Sequence, residues 1–128
     1  MYVRHSNLMK GQMIRPFKAL LYNKEKIDDV GVCICPPYDV ITDRGPYLKK
    51  SDYNIIRLEL PQSEPPLDEY ESAKKTLTEW LNKRVLVEDN EDSIYVYEQK
   101  FLFNKKTYIR RGFVALNKLG RDRILIHE

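Results

Sequence analysis

The stretch Ser93–Leu119 reads SIYVYEQKFLFNKKTYIRRGFVALNKL, and it is the part of the sequence that decides the fold. Tyr95, Tyr97, Phe101 and Phe103 occupy alternate positions of its first arm, Ser93–Phe103, as side chains do on one face of a β-strand. The second arm, Lys106–Leu119, continues this alternation, and only Asn104-Lys105 separates the two arms. Two such runs joined by two residues predict a β-hairpin, which we expect to be the longest element of the fold.

Upstream of the hairpin, apolar residues repeat with helical spacing across Leu67–Arg84. They are Leu67, Tyr70, Ala73, Leu77, Trp80 and Leu81. Residues with this spacing form a single stripe along one side of a helix. The pairs Glu71–Lys75 and Glu79–Lys83 lie four residues apart in the favourable order. The pattern predicts one main helix over Leu67–Arg84.

Three shorter segments upstream of the helix are predicted as strands. Ile14–Tyr22 has a proline near its start, where a missing N–H donor is tolerated. Val30–Ile34 is a short apolar run rich in β-branched residues, which is typical of a buried strand. In Tyr53–Leu60, apolar residues alternate with Arg57 and Glu59, so one face is apolar and the other charged.

The length and composition of the chain are typical of one soluble domain. The chain has 128 residues, of which 42% are hydrophobic and 32% charged, and such a length supports one hydrophobic core. These elements predict a single α+β domain over residues 13–128, with a mixed, mostly antiparallel sheet of four to six strands. We expect the main helix to pack on one face of the sheet and the hairpin to lie towards the C-terminus. The polar residues 1–12 lack periodicity and are predicted to form a disordered N-terminal arm.

The sequence also indicates a cytoplasmic protein. The N-terminal residues have no apolar core of the kind found in a secretory signal. No stretch approaches the roughly 20 apolar residues that a membrane-spanning helix needs, so we expect no membrane association. Cys33 and Cys35 are one residue apart, where a disulfide would be strained, so we interpret both as reduced thiols.

Charge is distributed unevenly along the chain. The formal net charge is +3, but residues 1–26 carry +5, residues 27–99 carry −8 and residues 100–127 carry +7. If the basic ends met in the fold, they would attract a phosphate-bearing partner. The alternative is that they pair with the acidic middle of the same chain. We favour the alternative, because nucleic-acid-binding domains usually show a clearer basic excess.

The loop Pro36-Pro37-Tyr38-Asp39 is the first candidate ligand site. Two prolines restrict the backbone at little entropic cost, so the loop can hold the Tyr38 hydroxyl and the Asp39 carboxylate in fixed directions. Tyr38 and Asp39 are therefore candidate ligand-binding residues. The structural interpretation is that Asp39 caps the following helix, for which Thr42 is also a predicted N-cap, while Tyr38 packs in the core.

Arg57 and the C-terminal pair His127-Glu128 complete the candidate set. A guanidinium on a strand can reach an anionic ligand, although a salt bridge between Arg57 and Glu59 is the more common arrangement. His127 and Glu128 resemble an acid–base or metal pair. A metal site needs three or four ligands, and the chain has only two histidines, so we predict no metal site.

Six motifs resemble, as a series, a widespread prokaryotic family known as domain of unknown function 1015. They are Ile14–Leu20, Pro36–Ile41, Asn54–Pro61, Tyr95–Gln99, Arg110–Leu116 and Ile126–Glu128. The resemblance covers residues 13–128. It implies that this chain corresponds to the N-terminal third of a longer protein. Some members carry a label relating them to the chromosome-partitioning ParB group, which implies a nucleotide- or DNA-linked role by analogy of fold.

These observations leave three functional hypotheses. The favoured one is an uncharacterised cytosolic domain that holds a small anionic ligand or a nucleotide through Tyr38, Asp39 and Arg57. The second is part of a phosphoryl-transfer enzyme that needs a missing C-terminal region, although the chain contains no Gly-rich phosphate loop or nucleophile elbow. The third, less favoured, is a nucleic-acid-binding module related to ParB-type proteins. Residue chemistry does not separate an enzyme from a binding protein here, and it indicates no particular cofactor or oligomeric state.

Overall fold

A computed structural model describes residues 2–4 and 13–119 of the chain. Within them the strands are β1 (Tyr2–Arg4), β2 (Ile14–Arg15), β3 (Leu20–Tyr22), β4 (Leu86–Glu88), β5 (Ser93–Phe103), β6 (Lys106–Val114) and β7 (Leu116–Asn117). The α-helices are α1 (Gly45–Lys50), α2 (Ile56–Glu59) and α3 (Glu69–Asn82), and 3-10 turns lie at Val30–Cys33 and Tyr38–Val40. Helices and antiparallel strand pairs in one small chain confirm the predicted α+β class.

The chain divides into two compact units. The hairpin unit comprises Met1–Ala19 and Glu88–Glu128, and the helical unit comprises Leu20–Val87. The described strands form three sheets, of order β1-β5-β6, β2-β7 and β3-β4, in place of the single sheet expected. The extent of the predicted domain, residues 13–128, stays a prediction. Within the predicted N-terminal arm, Tyr2–Arg4 pair with β5 as β1, and residues 5–12 lie outside the described residues.

The hairpin unit is built on β5 and β6. They form the hairpin that the sequence predicted, and their antiparallel register runs from Tyr95 opposite Val114 to Phe103 opposite Lys106. Asn104 and Lys105 have φ angles of 48° and 61°, so both turn residues are left-handed, as in a type I′ hairpin. The second arm is shorter than expected because β7 leaves β6 and pairs with β2.

The hydroxyl of Tyr95 fixes the base of this hairpin. It accepts a hydrogen bond from the Ala19 N–H at 3.0 Å and lies 2.9 Å from Oδ2 of Asp89. Burial raises the pKa of Tyr95, and the nearby Asp89 carboxylate adds to the effect. Phe17 exchanges two main-chain hydrogen bonds with Ser93 nearby, so the predicted strand Ile14–Tyr22 is split into β2, a bridge and β3.

The core of the helical unit lies around Trp80 of α3, which is only 3% exposed. Its indole contacts the rings of Tyr22 and Tyr53, with centroids 6.2 and 5.8 Å away. Val85 and Leu86, which follow the helix, belong to the same buried cluster. The apolar stripe therefore predicted the main helix correctly, and Trp80 is its most buried apolar residue.

Asp68 begins α3 with a capping box. Its carboxylate accepts from the Glu71 N–H at 2.8 Å, and Oε2 of Glu71 accepts from the Asp68 N–H at 3.0 Å. This reciprocal pair satisfies two main-chain donors at the helix start, so α3 begins two residues after the predicted Leu67. Tyr70, counted in the apolar stripe, is 79% exposed.

Two predicted strands are wrong. Val30–Ile34 contains a 3-10 turn at Val30–Cys33, because the Asp29 carboxylate accepts from the Gly31 N–H at 2.8 Å and bends the chain. Tyr53–Leu60 contains the helix α2, so Arg57 and Glu59 do not share the polar face of a strand. In each case a side-chain to main-chain hydrogen bond competes with extended structure.

Three further predictions concern the N-cap of α1, the two cysteines and membrane-spanning helices. Thr42 is not the cap of α1, since Arg44 holds the N-cap position and Pro46 stands in the first turn. Cys33 and Cys35 are free thiols, as expected. Among the described residues, no helix has the length and apolar character needed to cross a bilayer.

Candidate functional site

The candidate site of the helical unit starts from Arg57 on α2. This side chain is half-buried, and its guanidinium donates from Nη1 to the carbonyl oxygen of Ser51 at 2.8 Å and from Nη2 to that of Leu48 at 3.3 Å. Both carbonyls lie at the C-terminal end of α1, where unpaired helix carbonyls favour a cation. The hydrogen bonds therefore hold the Arg57 charge in a fixed position.

Arg44 lies on the N-terminal side of α1 and lines the same cleft. Its side chain is half-buried, and it forms no hydrogen bond or ion pair with the described residues. Its Nε is buried without a partner. A guanidinium carries five N–H donors, and a buried donor left unsatisfied costs about 1–3 kcal/mol, or more when charged. Arg44 is thus an arginine whose hydrogen-bonding capacity is unused.

The two arginines meet at one cleft of about 170 Å³. Its described lining residues are Arg44, Leu48, Arg57, Gln62, Glu64, Ser72 and Thr76. Burial lowers the pKa of Arg44, and the positive charge of Arg57 lowers it further. Because arginine stays protonated in proteins, the effect is an excess of positive charge that a bound anion would relieve.

Helix α3 contributes hydroxyl groups to the opposite side of this cleft. Ser72 and Thr76 are one helical turn apart and therefore lie on the same side of α3. Ser72 is only 8% exposed and lines the cleft from this helix. Two hydroxyls, the Gln62 amide and two guanidinium groups form a lining rich in hydrogen-bond donors, with Glu64 as the acidic member.

Of the residues named from the sequence, the structure brings Arg57 into this cleft and leaves Tyr38 and Asp39 outside its lining. Tyr38 is 62% exposed and therefore does not pack in the core. Asp39 does not cap α1, and the 3-10 turn is closed by main-chain hydrogen bonds from Val40 to Pro37 and from Ile41 to Tyr38. The prolines are followed by an ordered 3-10 turn, but neither of its two candidate side chains lines the cleft that holds Arg57.

The remaining sequence candidates, His127 and Glu128, lie outside the described residues. In the part of the chain that the structure describes, no group of three or more His, Cys, Asp or Glu side chains is placed to hold a metal ion. Arg44 was missed by the sequence analysis. Its one local signal is its position directly before Gly45-Pro46, which gives no indication that Arg57, thirteen residues later, lies nearby.

Comparison with known proteins gives one match. The model of a family described as "Protein of unknown function (DUF1015)" matches residues 14–128, which is most of the chain. Neither the curated proteins nor the solved structures contain a match to this chain.

Proposed function

The chain belongs to the DUF1015 family of proteins of unknown function, and we propose that its helical unit binds a small anion in the cleft between Arg44 and Arg57. The observation that carries the proposal is the Arg44 guanidinium, which lines a cleft, is partly buried and has no protein acceptor among the described residues. A carboxylate or phosphate supplies the missing acceptors, since its oxygens match the two-pronged geometry of a guanidinium.

Arg57 supports this assignment because its position is fixed. Its hydrogen bonds to Ser51 and Leu48 hold a second positive charge beside Arg44 without neutralising it. No described ion pair joins Glu64 to either arginine. Two like charges in a partly buried cleft repel each other, and an anion between them converts that repulsion into attraction.

The size of the cleft limits the ligand. Its volume of about 170 Å³ is smaller than the roughly 300–1,000 Å³ of pockets that enclose drug-sized ligands. It therefore suits an inorganic phosphate, a small carboxylate, or the phosphate end of a nucleotide whose base remains outside. The hydroxyls of Ser72 and Thr76 provide further donors to such a group.

Titration of the full chain with inorganic phosphate, pyrophosphate and citrate, followed by calorimetry and thermal unfolding, tests the proposal. A ligand present at ten times its Kd stabilises the folded state by about 1.4 kcal/mol, which raises Tm measurably. We expect Arg44→Gln to abolish this increase, and Arg44→Lys, which keeps the charge but loses the planar fork, to weaken it. Lys49→Gln removes the same charge from an exposed position of α1 and serves as the matched control.

The same variants separate binding from folding. Because the Arg44 side chain makes no hydrogen bond within the described part of the chain, Arg44→Gln should fold with unchanged or slightly higher stability in the absence of anions. Absence of binding for all three anions in the millimolar range would refute the proposal. Equal losses of binding in Arg44→Gln and Lys49→Gln would refute it as well, since binding would then follow net charge and not the cleft.

A further inference from the structure

One face of the hairpin carries exposed rings. Because side chains alternate along a strand and pair across it, the register places Tyr97 opposite Gly112, Phe101 opposite Tyr108 and Phe103 opposite Lys106 on the same face. Gln99 and Arg110 form the pair that lies between Tyr97–Gly112 and Phe101–Tyr108 on this face. We call these eight residues the aromatic face.

The rings of the aromatic face are not part of a core. Their exposed fractions are 39% for Tyr97, 47% for Phe101, 60% for Phe103 and 40% for Tyr108. Phe101 and Tyr108 are stacked, with centroids 5.7 Å apart and planes 18° from parallel, and Phe103 lies 6.5 Å from Tyr108. Exposed aromatic area arranged in this way marks an interaction surface, since large apolar groups seldom cluster in water without a partner.

Positive charge accompanies these rings. Lys106 and Arg110 belong to the aromatic face, and Nζ of Lys106 lies 5.6 Å from the centroid of the Tyr108 ring. Between Ser93 and Leu119 the chain has six basic residues and one acidic residue, Glu98. Glu98 lies on the opposite face, where its carboxylate accepts from Nε of Arg111 at 2.7 Å. The aromatic face thus combines rings and cations with no carboxylate among its eight residues.

We propose that the aromatic face binds single-stranded nucleic acid, with bases stacked on Phe101, Phe103 and Tyr108 and phosphates held by Lys106 and Arg110. Rings on one strand face recur about every 7 Å along the strand, so several bases can stack in succession. Stacking requires unpaired bases, whereas a duplex would reach only the cations. A second copy of the chain is a poorer occupant, because face-to-face packing would bring the cations of both copies into one interface that contains no carboxylate of either aromatic face.

Fluorescence anisotropy with labelled oligothymidylate of about 12 nucleotides, a length within known site sizes, tests this proposal on the full chain. Loss of one stacked base costs about 1–3 kcal/mol, or about 5- to 150-fold in affinity, so Phe101→Ala combined with Tyr108→Ala should weaken binding at least tenfold. Leu102 and Ile109 are exposed on the opposite face. Replacing these two with alanine is the matched control and should change affinity less than twofold.

The charge contribution is measured separately, with variants that leave the rings in place. Replacing Lys106 and Arg110 with glutamine should reduce the slope of log affinity against log salt by about 0.7 for each phosphate that the protein no longer neutralises. The single variant Phe103→Ala, at the most exposed ring, gives a second test of stacking should the double alanine variant unfold. Circular dichroism of every variant verifies that the hairpin is retained.

Four results would overturn the proposal. The first is no binding at low salt, and the second is an equal loss of affinity in the Phe101/Tyr108 variant and in the Leu102/Ile109 control. The third is binding to a duplex of the same length that is at least as tight as binding to the single strand. The fourth is self-association that depends on Phe101 and Tyr108, without oligonucleotide binding. The third would indicate plain electrostatic attraction to phosphates. The fourth would identify the aromatic face as an interface between copies of the chain.

Discussion

The side-chain carbonyl of Asn54 accepts a hydrogen bond from the main-chain N–H of Ile56 at 3.0 Å, and both residues are fully buried. The amide nitrogen of Asn54 donates to the carbonyl oxygens of Val32 at 2.8 Å and Ile34 at 3.0 Å. One carboxamide thus provides hydrogen-bond partners at the start of α2 and at the end of the 3-10 turn Val30–Cys33. It joins the two segments of the helical unit for which the sequence predicted strands.

Asn54→Ala should destabilise the helical unit by about 3 kcal/mol, because it leaves the buried Ile56 N–H and the partly buried carbonyl oxygens of Val32 and Ile34 without their side-chain partner. Urea unfolding followed by Trp80 fluorescence measures the change, since Trp80 lies in the core of the same unit. Asn82→Ala, at the exposed end of α3, should stay within about 0.5 kcal/mol. A loss of stability below about 1 kcal/mol for Asn54→Ala would contradict the role assigned to this carboxamide.

Local patterns in the sequence predicted some elements of the fold correctly. The hairpin and α3 follow from alternation, helical spacing and turn residues, all of which act between near neighbours. Val30–Ile34 and Tyr53–Leu60 were mispredicted because Asp29 and Asn54 redirect the main chain through hydrogen bonds. The hydrogen bonds from the Asn54 side chain to Val32 and Ile34 span about twenty residues, a sequence separation over which periodicity carries no information.

The candidate site shows the same limit of local patterns. The sequence indicates Arg57 as a candidate because its guanidinium, on the charged face of a predicted strand, could reach an anionic ligand. Its partner Arg44 has no such context, and only the packing of α2 beside α1 brings it to the same cleft. Tyr38 and Asp39 were chosen for a rigid loop, but rigidity does not determine which cavity a side chain faces.

The capping box of α3 gives a second prediction. Asp68→Ala should cost about 1 kcal/mol, because the Glu71 N–H loses its acceptor and the carboxylate no longer offsets the helix dipole. Glu71→Gln keeps the reciprocal hydrogen bond and should cost less. Thermal unfolding of both variants, with the exposed Glu79→Gln as control, measures the difference. Equal destabilisation by Asp68→Ala and Glu79→Gln would show that the cap contributes nothing.

Alkaline pH should destabilise the helical unit through Tyr22. Its hydroxyl donates to the Tyr53 carbonyl at 2.6 Å, and burial raises its pKa well above the usual range, with Cys33 and Cys35 adding to the effect. A phenol whose pKa is higher in the folded state than in the unfolded state, where it is about 10, stabilises the folded state. This stabilisation is fully present below about pH 10, where the hydroxyl is neutral in both states. This contribution is lost as the pH rises towards the folded pKa, by up to about 1.4 kcal/mol per pH unit.

Tyr22→Phe removes this dependence along with the hydrogen bond. At neutral pH the free energy of unfolding of the variant should be about 1 kcal/mol lower than that of the natural chain. This difference between the two proteins, the gap, should narrow steadily above about pH 10. Urea unfolding at a series of pH values measures the gap, with the exposed Tyr70→Phe as control. A gap that stays constant into the alkaline range would show that the Tyr22 hydroxyl is not the responsible group.

The hairpin turn offers a stabilising substitution. Asn104 and Lys105 both adopt positive φ, a conformation that costs little for asparagine and more for lysine. Lys105→Gly places glycine at the second position of a type I′ turn, where Asn-Gly is the preferred pair, and should stabilise the hairpin by up to about 1 kcal/mol. Lys106→Gly removes the same charge from the first residue of β6 and should destabilise it instead. Differential scanning calorimetry distinguishes the two directions, and a lower Tm for Lys105→Gly would contradict the argument from backbone strain.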